Sequence, residues 1–257
     1  MIEFTQLMDA YLECRRNKRN SMAALAFELD LENNLIGLYE DIVSGNYEIS
    51  PSIAFVVEKP VRREVFAADF RDRVVHHLLM QILIPHFERE FIRDSYACRI
   101  GKGTLHGIKR IQRFIAQCSE GYTKDCYILK CDISGFFMSI DRNILWQKLE
   151  KFILTIDFGD KKAEQGGNWD LFSQPKVTSE LSELVVRLTK QIAMHNPIDG
   201  CRINGSTDRW NGLPADKSLF GTNNIPMPNG YLSLCNKKSG AKGLPIGNLT
   251  SQWFGNF

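Results

Sequence analysis

At 257 residues the chain is long enough to bury a full core and to hold one large or two small domains. Hydrophobic residues make up 44% and charged residues 24%, the balance of an ordinary soluble globular protein, and no apolar run reaches the length of a membrane span. The net charge of +2 hides an asymmetry: residues 1–58 hold four Lys/Arg against ten Asp/Glu, and residues 59–113 hold twelve against six. A basic middle segment suits contact with a phosphate backbone, but a solvated helix face gives the same count, so charge alone decides nothing. The N-terminus, MIEFTQLMDAYLECRR, is no signal peptide. The seven cysteines are odd in number and contain no C-x-x-C pair. They support neither a zinc site nor a disulfide framework, and the expected compartment is a reducing cytoplasm.

Residues 4–18 and 22–43 read as two amphipathic helices, the second stopped by Gly45. Residues 53–58 and 61–67 read as antiparallel strands joined across Lys59-Pro60. Residues 69–85 form the strongest helix pattern, with Phe70, Val74, Val75, Leu78, Leu79, Ile82 and Leu83 on one stripe and Pro85 expected to end it. His76 and His77 are adjacent, so they lack the i, i+4 spacing of two metal ligands and read as packing or flank groups. A glycine-punctuated loop follows, FIRDSYACRIGKG (91–103), in which Arg99 and Lys102 would suit nucleic-acid phosphates. It lacks P-loop spacing, which argues against ATP hydrolysis. Thr104 is the expected cap of a helix with Leu105, Ile108, Ile111, Phe114 and Ile115 on one side and Lys109, Arg110 and Arg113 on the other.

The central stretch is YILKCDISGFFMSID (127–141). Residues 127–132 alternate as a strand, and Ser134-Gly135 breaks it, which puts Asp132 at an exposed strand end. A carboxylate there, followed by the free backbone amides of Ile133, Ser134, Gly135 and Phe136, suits a divalent cation carrying a polyphosphate. Asp132 as a plain turn cap is the competing reading. Asp141 precedes Leu145, Leu149, Phe152 and Ile153 at helical spacing and reads as an N-cap. A polar loop (159–174) leads to a helix beginning at Thr178 or Ser179, with Leu181, Leu184, Val185, Leu188 and Ile192 inward. Residues 196–242 show little periodicity and read as an insertion. GLPIGNLTSQ (243–252) then gives a rigid turn before an expected helix start at Trp253.

Four stretches, RREVFAADFRDRVVHHLL (62–79), FIRDSYACRIGKGT (91–104), LKCDISGFFMSID (129–141) and GLPIGNLTSQ (243–252), stand in an order that resembles bacterial retroelement reverse transcriptases. The closest resemblance is to the class of diversity-generating retroelements, on the Ile246 and Gln252 variant of the last motif. The resemblance covers roughly residues 50–257. It implies an α+β right-hand polymerase fold, helix-rich with a small antiparallel palm sheet. The implied divisions are an N-terminal helical segment (1–48), fingers (49–125) and a partial palm (126–257) with the 196–242 insertion.

The implied activity is RNA-directed DNA synthesis with Mg²⁺, on an RNA template and a DNA or RNA primer, from dNTPs, with a helical accessory protein as a further partner. Asp132, with the Ile133 backbone, would hold metal. Arg63, Ser134, Gly135, Phe136, Phe137, Ile246, Gly247 and Gln252 would surround the nucleotide, with Phe137 as the gate that rejects a 2′-hydroxyl. Apolar Ile246 goes, in that class, with tolerance of mispairing opposite template adenine. The family's other two carboxylates come from a Tyr-x-Asp-Asp hairpin downstream of the last motif, and these 257 residues contain none. The expectation is an N-terminal portion, inactive alone, ending on an uncovered aromatic stripe of Trp253, Phe254 and Phe257. Group II intron or retron kinship, a non-catalytic RNA-binding remnant and a palm-fold nucleotidyl cyclase are the alternatives.

Overall fold

The computed structural model describes residues 2–16, 18, 21–158, 180–214, 217–220 and 242–257. The expected loop at 159–174, the helix start at Thr178 or Ser179 and much of the 196–242 insertion fall outside them. The fold is helix-rich α+β with a small three-stranded sheet. No helix among the described residues is long and apolar enough to cross a membrane.

Three helices open the chain: α1 (Phe4–Arg16), α2 (Met22–Glu28) and α3 (Leu31–Ser44). The expected single helix over 22–43 is thus broken near Asp30, which takes a non-helical conformation before α3. Gly45 ends α3 in the left-handed region at φ 86°, the role its position predicted. Strands β1 (Ile53–Val57) and β2 (Arg63–Ala67) pair antiparallel, Ile53 opposite Ala67 and Val57 opposite Arg63. A third strand, β3 (Arg202–Ile203), joins β1 in parallel, so the sheet runs β2-β1-β3 and is mixed. The strand expected over 127–132 is absent among the described residues. That stretch has no regular secondary structure, and Tyr127 and Leu129 are about nine-tenths exposed. A strand needs a neighbour for its backbone groups, and none of the described residues supplies one.

The helix α4 (Phe70–Glu90) runs through Pro85 instead of ending there. Proline costs one helical hydrogen bond, but the turn beyond it carries Phe87, which is fully buried. Phe87 stacks on Phe91, Phe152 and Trp253 at centroid distances of 5.7, 5.2 and 6.2 Å and meets Phe257 edge-on at 5.3 Å. Burying an aromatic of this size stabilises by about 1.5–3 kcal/mol, enough to offset most of a proline defect of about 3 kcal/mol. The same cluster corrects a second expectation: Trp253 and Phe254 are core residues, not an uncovered stripe.

Asp69 caps α4 through the Arg71 N–H at 3.1 Å. The predicted apolar stripe is inward, along with His76, whose imidazole burial lowers to a pKa of about 3, so it packs as a neutral ring. The helix α5 (Thr104–Cys118) is amphipathic, yet Leu105, Ile108, Ile111 and Phe114 remain exposed. One turn of helix, α6 (Phe136–Ser139), leads to α7 (Arg142–Ile153), and α7 packs along α8 (Glu180–Met194). The last helix, α9 (Leu249–Phe254), starts four residues before the expected Trp253.

The main core draws on all three expected divisions, from Ile2 and Leu35 through Leu79 and Leu83 to Leu149, Leu188 and Trp253. A second cluster joins Ala54, Val56 and Phe66 of the sheet to Cys201, Trp210, Leu213 and Phe220.

One carboxyl in the core makes stability depend on pH. Asp72 accepts from the Tyr47 hydroxyl at 2.8 Å and the Ser50 N–H at 2.9 Å, but burial dominates and raises its pKa from 3.8 to about 6. A carboxyl raised by folding contributes stability that is complete below the unfolded value and is lost as pH rises through about 6. Asp72→Asn removes that titration, so its unfolding free energy should vary less across this window than the wild type's. Denaturant melts at matched pH values check this, and equal slopes for the two proteins would refute it.

Candidate nucleotide-facing site

The local geometry begins with backbone. Gly243 and Leu244 donate their N–H groups to the carbonyls of Ile140 and Phe137, both at 2.8 Å. Asp141 and Lys242 add an antiparallel bridge, so the segment after Asp132 and the start of the GLPIGN turn are paired. On the other side of the turn the Phe66 N–H donates to the Ile246 carbonyl at 3.0 Å, and the Ala68 N–H donates to Asn248 Oδ1 at 2.9 Å. The turn therefore joins β2, which carries Arg63, to the stretch that carries Phe137. Three of the four sequence motifs meet there.

Glycine is required at the centre of this joint. Gly247 has φ 117°, and a Cβ built there would lie 2.7 Å from Val65 Cγ1 and 3.7 Å from the Phe66 carbonyl oxygen. Gly243, at φ 97°, is closed in by Leu219 and by the Met138 carbonyl. Gly135 is left-handed at φ 59° and turns the chain into α6.

Asp132 is exposed and accepts from the following Ile133 N–H at 3.0 Å. Phe136 and Phe137 meet edge-on at 5.3 Å, and Phe137 packs against the main core, with its Cε1 3.0 Å from where a Cβ on Gly255 would sit. Arg63, Gln252 and the Gly247 backbone are exposed, and Ile246 is half-buried. Asp141 caps α7 through the Asn143 and Ile144 N–H groups, as its position predicted. Among the described residues no three or more His, Cys, Asp or Glu side chains converge as a metal site. The oxygen donors at Asp132 and the Ile133 backbone are of the hard type Mg²⁺ takes, but they supply one carboxylate only.

The expected nucleic-acid contacts divide. Arg99 is buried and committed inside the loop: it pairs with Glu88 at 2.6 Å and donates to the Ile92 and Ser95 carbonyls. Lys102 donates to the Arg93 carbonyl at 2.7 Å. Arg110 forks onto Asp94 at 2.7 and 2.9 Å, and that guanidinium holds the Asp94 carboxyl well below the usual range. Of the five, Lys109 and Arg113 stand exposed without such a tie among the described residues.

Sequence reasoning missed Glu64. It is fully buried in β2 and accepts from Trp210 Nε1 at 2.7 Å, Ser218 Oγ at 2.9 Å and the Leu219 N–H at 2.6 Å. Burial raises its pKa against those three donors. The one available sequence signal was its strand position, where inward alternation puts a charge on the core face. Its effect is to fasten Trp210, Ser218 and Leu219 beside the joint, next to exposed Arg63.

No family model matches the chain. Protein YkfC of Escherichia coli (strain K12) is similar: 24% identical over 144 residues, which cover 55% of this chain and 36% of YkfC. The matched stretch is thus about a third of that relative's length.

Gly247→Ala places a methyl against the stiff Val65 side chain in a left-handed backbone, so a loss of about 1–3 kcal/mol in stability is expected. Gly37→Ala, where a methyl meets nothing within 4 Å, should instead gain about 0.5–1 kcal/mol through helix propensity. Chemical denaturation of both variants tests the joint, and a neutral Gly247→Ala would remove the close approach.

Proposed function

We propose that this chain is the nucleotide-facing part of an RNA-directed DNA polymerase of the retroelement type, nearest the diversity-generating class. The observation that carries the reading is the joint itself: the Leu244 N–H on the Phe137 carbonyl and the Phe66 N–H on the Ile246 carbonyl. These bonds bring Phe137, Ile246 and β2, the strand that carries Arg63, to one turn, which supports the reading. Exposed Arg63 meets the triphosphate, the amides from Ile133 to Phe136 face phosphate oxygens, and Phe137 lies under the sugar. Ile246, Gly247 and Gln252 line the nascent pair. A Mg²⁺ ion held by Asp132 and the Ile133 carbonyl would lower the pKa of the primer 3′-hydroxyl and balance triphosphate charge. Its remaining carboxylates would come from a Tyr-x-Asp-Asp hairpin, so these 257 residues are expected to bind template and primer without extending them.

The protein's own residues do the rest by position. Phe137 is held by the core behind it and by its carbonyl bond to Leu244, so the ring presents a fixed wall to a sugar. Ile246 has its backbone fixed by Phe66 and offers only an apolar side chain to the base pair. A side chain without a hydrogen-bonding group cannot check a base edge, which weakens discrimination.

Binding comes first among the tests. A labelled RNA template annealed to a DNA primer should bind the 257-residue chain with affinity that falls steeply with salt and tightens with the matching dNTP and Mg²⁺. Asp132→Asn should abolish the dNTP-dependent part alone. Salt-sensitive RNA binding with no dNTP response would favour a non-catalytic RNA-binding module instead, and primer extension by the chain alone would contradict its expected inactivity. In a chain that also supplies the hairpin, Ile246→Gln should lower misincorporation opposite template adenine, read by sequencing the products.

A further inference from the structure

A small cavity lies against the GLPIGN turn. Leu244, Pro245 and Asn248 of the turn line it, together with His76 of α4, His195 just past the end of α8 and Thr250 of α9. None of the residues assigned above to metal or nucleotide is in its wall. Three of the lining side chains carry a buried polar atom with no hydrogen-bond partner among the described residues: His76 Nδ1, His195 Nε2 and Thr250 Oγ1. His76 is only 4% exposed and Thr250 only 1%, so bulk water does not serve them. Folded interiors rarely leave one such atom bare, and three in one wall point to a ligand that bonds them all.

The surroundings hold these groups in place. His195 is tied through its backbone carbonyl, which accepts from Arg142 Nη1 on α7 at 2.7 Å. The Asn248 side-chain oxygen is spent on the Ala68 N–H. Burial lowers the pKa of both histidines, so each is a neutral ring with one N–H and one bare nitrogen. The wall therefore offers two nitrogen acceptors and one hydroxyl that can donate.

We propose that this cavity binds one structural water, which donates to His76 Nδ1 and His195 Nε2 and accepts from the Thr250 hydroxyl, bracing α4, the end of α8 and α9 behind the turn. The cavity volume of about 10 Å³ is room for a single water and for no organic ligand. Three hydrogen bonds are the usual number for a buried water, and two O–H groups with a lone pair match the three atoms in kind. The arrangement sets the ring protons on His76 Nε2 and His195 Nδ1. A transition metal fits the wall less well. Two imidazoles and a hydroxyl fall short of four ligands, and no Asp, Glu or Cys lines the cavity. The brace also accounts for a polar ring at position 76, on a helix face that is otherwise apolar. It supports the turn whether or not the chain binds a nucleotide.

A crystal structure of the 257-residue chain tests this, at a resolution that shows ordered water and with data taken above the zinc absorption edge. The expected result is one peak about 2.7–3.2 Å from all three atoms, with no anomalous signal. No peak, a peak bonded to fewer than three of the atoms, or an anomalous peak marking a metal would overturn the proposal. Oxygen-17 relaxation dispersion counts long-lived waters in solution. Thr250→Val replaces the hydroxyl by a methyl of the same size and should lose one long-lived water relative to the wild type, whereas Thr250→Ser should keep it. Equal counts in Thr250→Val and the wild type would also overturn the proposal, and if Thr250→Val fails to fold, the wild-type peak decides. Neither readout involves nucleic acid, so failure here leaves template and nucleotide binding to be judged separately.

Discussion

The structure depends on one turn that bonds in two directions through its backbone. Leu244 and Gly243 engage the chain beyond Asp132, and Ile246 and Asn248 engage β2 and the residue that follows it. Each such bond contributes only about 0.5–1.5 kcal/mol net, but leaving any of these groups buried and unpaired would cost about 1–3 kcal/mol. The arrangement is therefore close to all-or-none. Glycine at 247 lets the turn lie against Val65 and Phe66, and Gly243 lets it pass Met138. Segments more than a hundred residues apart in sequence become neighbours because the backbone has nowhere else to satisfy its donors.

Two supports keep that turn in place. Behind it, Trp253 and Phe254 on α9 enter the aromatic cluster around Phe87. The cluster anchors α9 directly after the turn and carries α4 past Pro85. Beside it, the buried carboxylate of Glu64 gathers the Trp210 indole, the Ser218 hydroxyl and the Leu219 N–H. Truncating Glu64 would leave three buried donors without an acceptor, so this strand holds its register by a polar requirement as much as an apolar one.

The contrast lies on α5 and the stretch at 127–133. Leu105, Ile108, Ile111, Phe114, Tyr127, Leu129 and Ile133 are all exposed. Neither region contributes to either core cluster. Their order is local: an Arg110–Asp94 fork, the Tyr96 ring against Gly107 and His106, and the hydrogen-bonded reversal at 119–124. Asp132 thus sits on the less anchored side of the joint and Phe137 on the anchored side.

Periodicity in the sequence determined most helices, the hairpin of β1 and β2, the capping role of Asp141 and the left-handed stop at Gly45, because each follows from neighbours within one or two turns. It also identified the residues around the joint, since Gly, Pro and Asn in GLPIGN carry their backbone demands in their chemistry. Only the tertiary structure decided that α4 continues past Pro85, that the final aromatics are core, that Arg99 and Arg110 are spent on Glu88 and Asp94, and that Glu64 is a buried anchor. It also gave 127–132, among the described residues, no strand partner of the kind that alternation implied. The physical reason is the same in every case: these outcomes depend on which distant group fills a hydrogen bond, a charge or a void. Local pattern states the need of a residue, and only the folded chain supplies or withholds the partner.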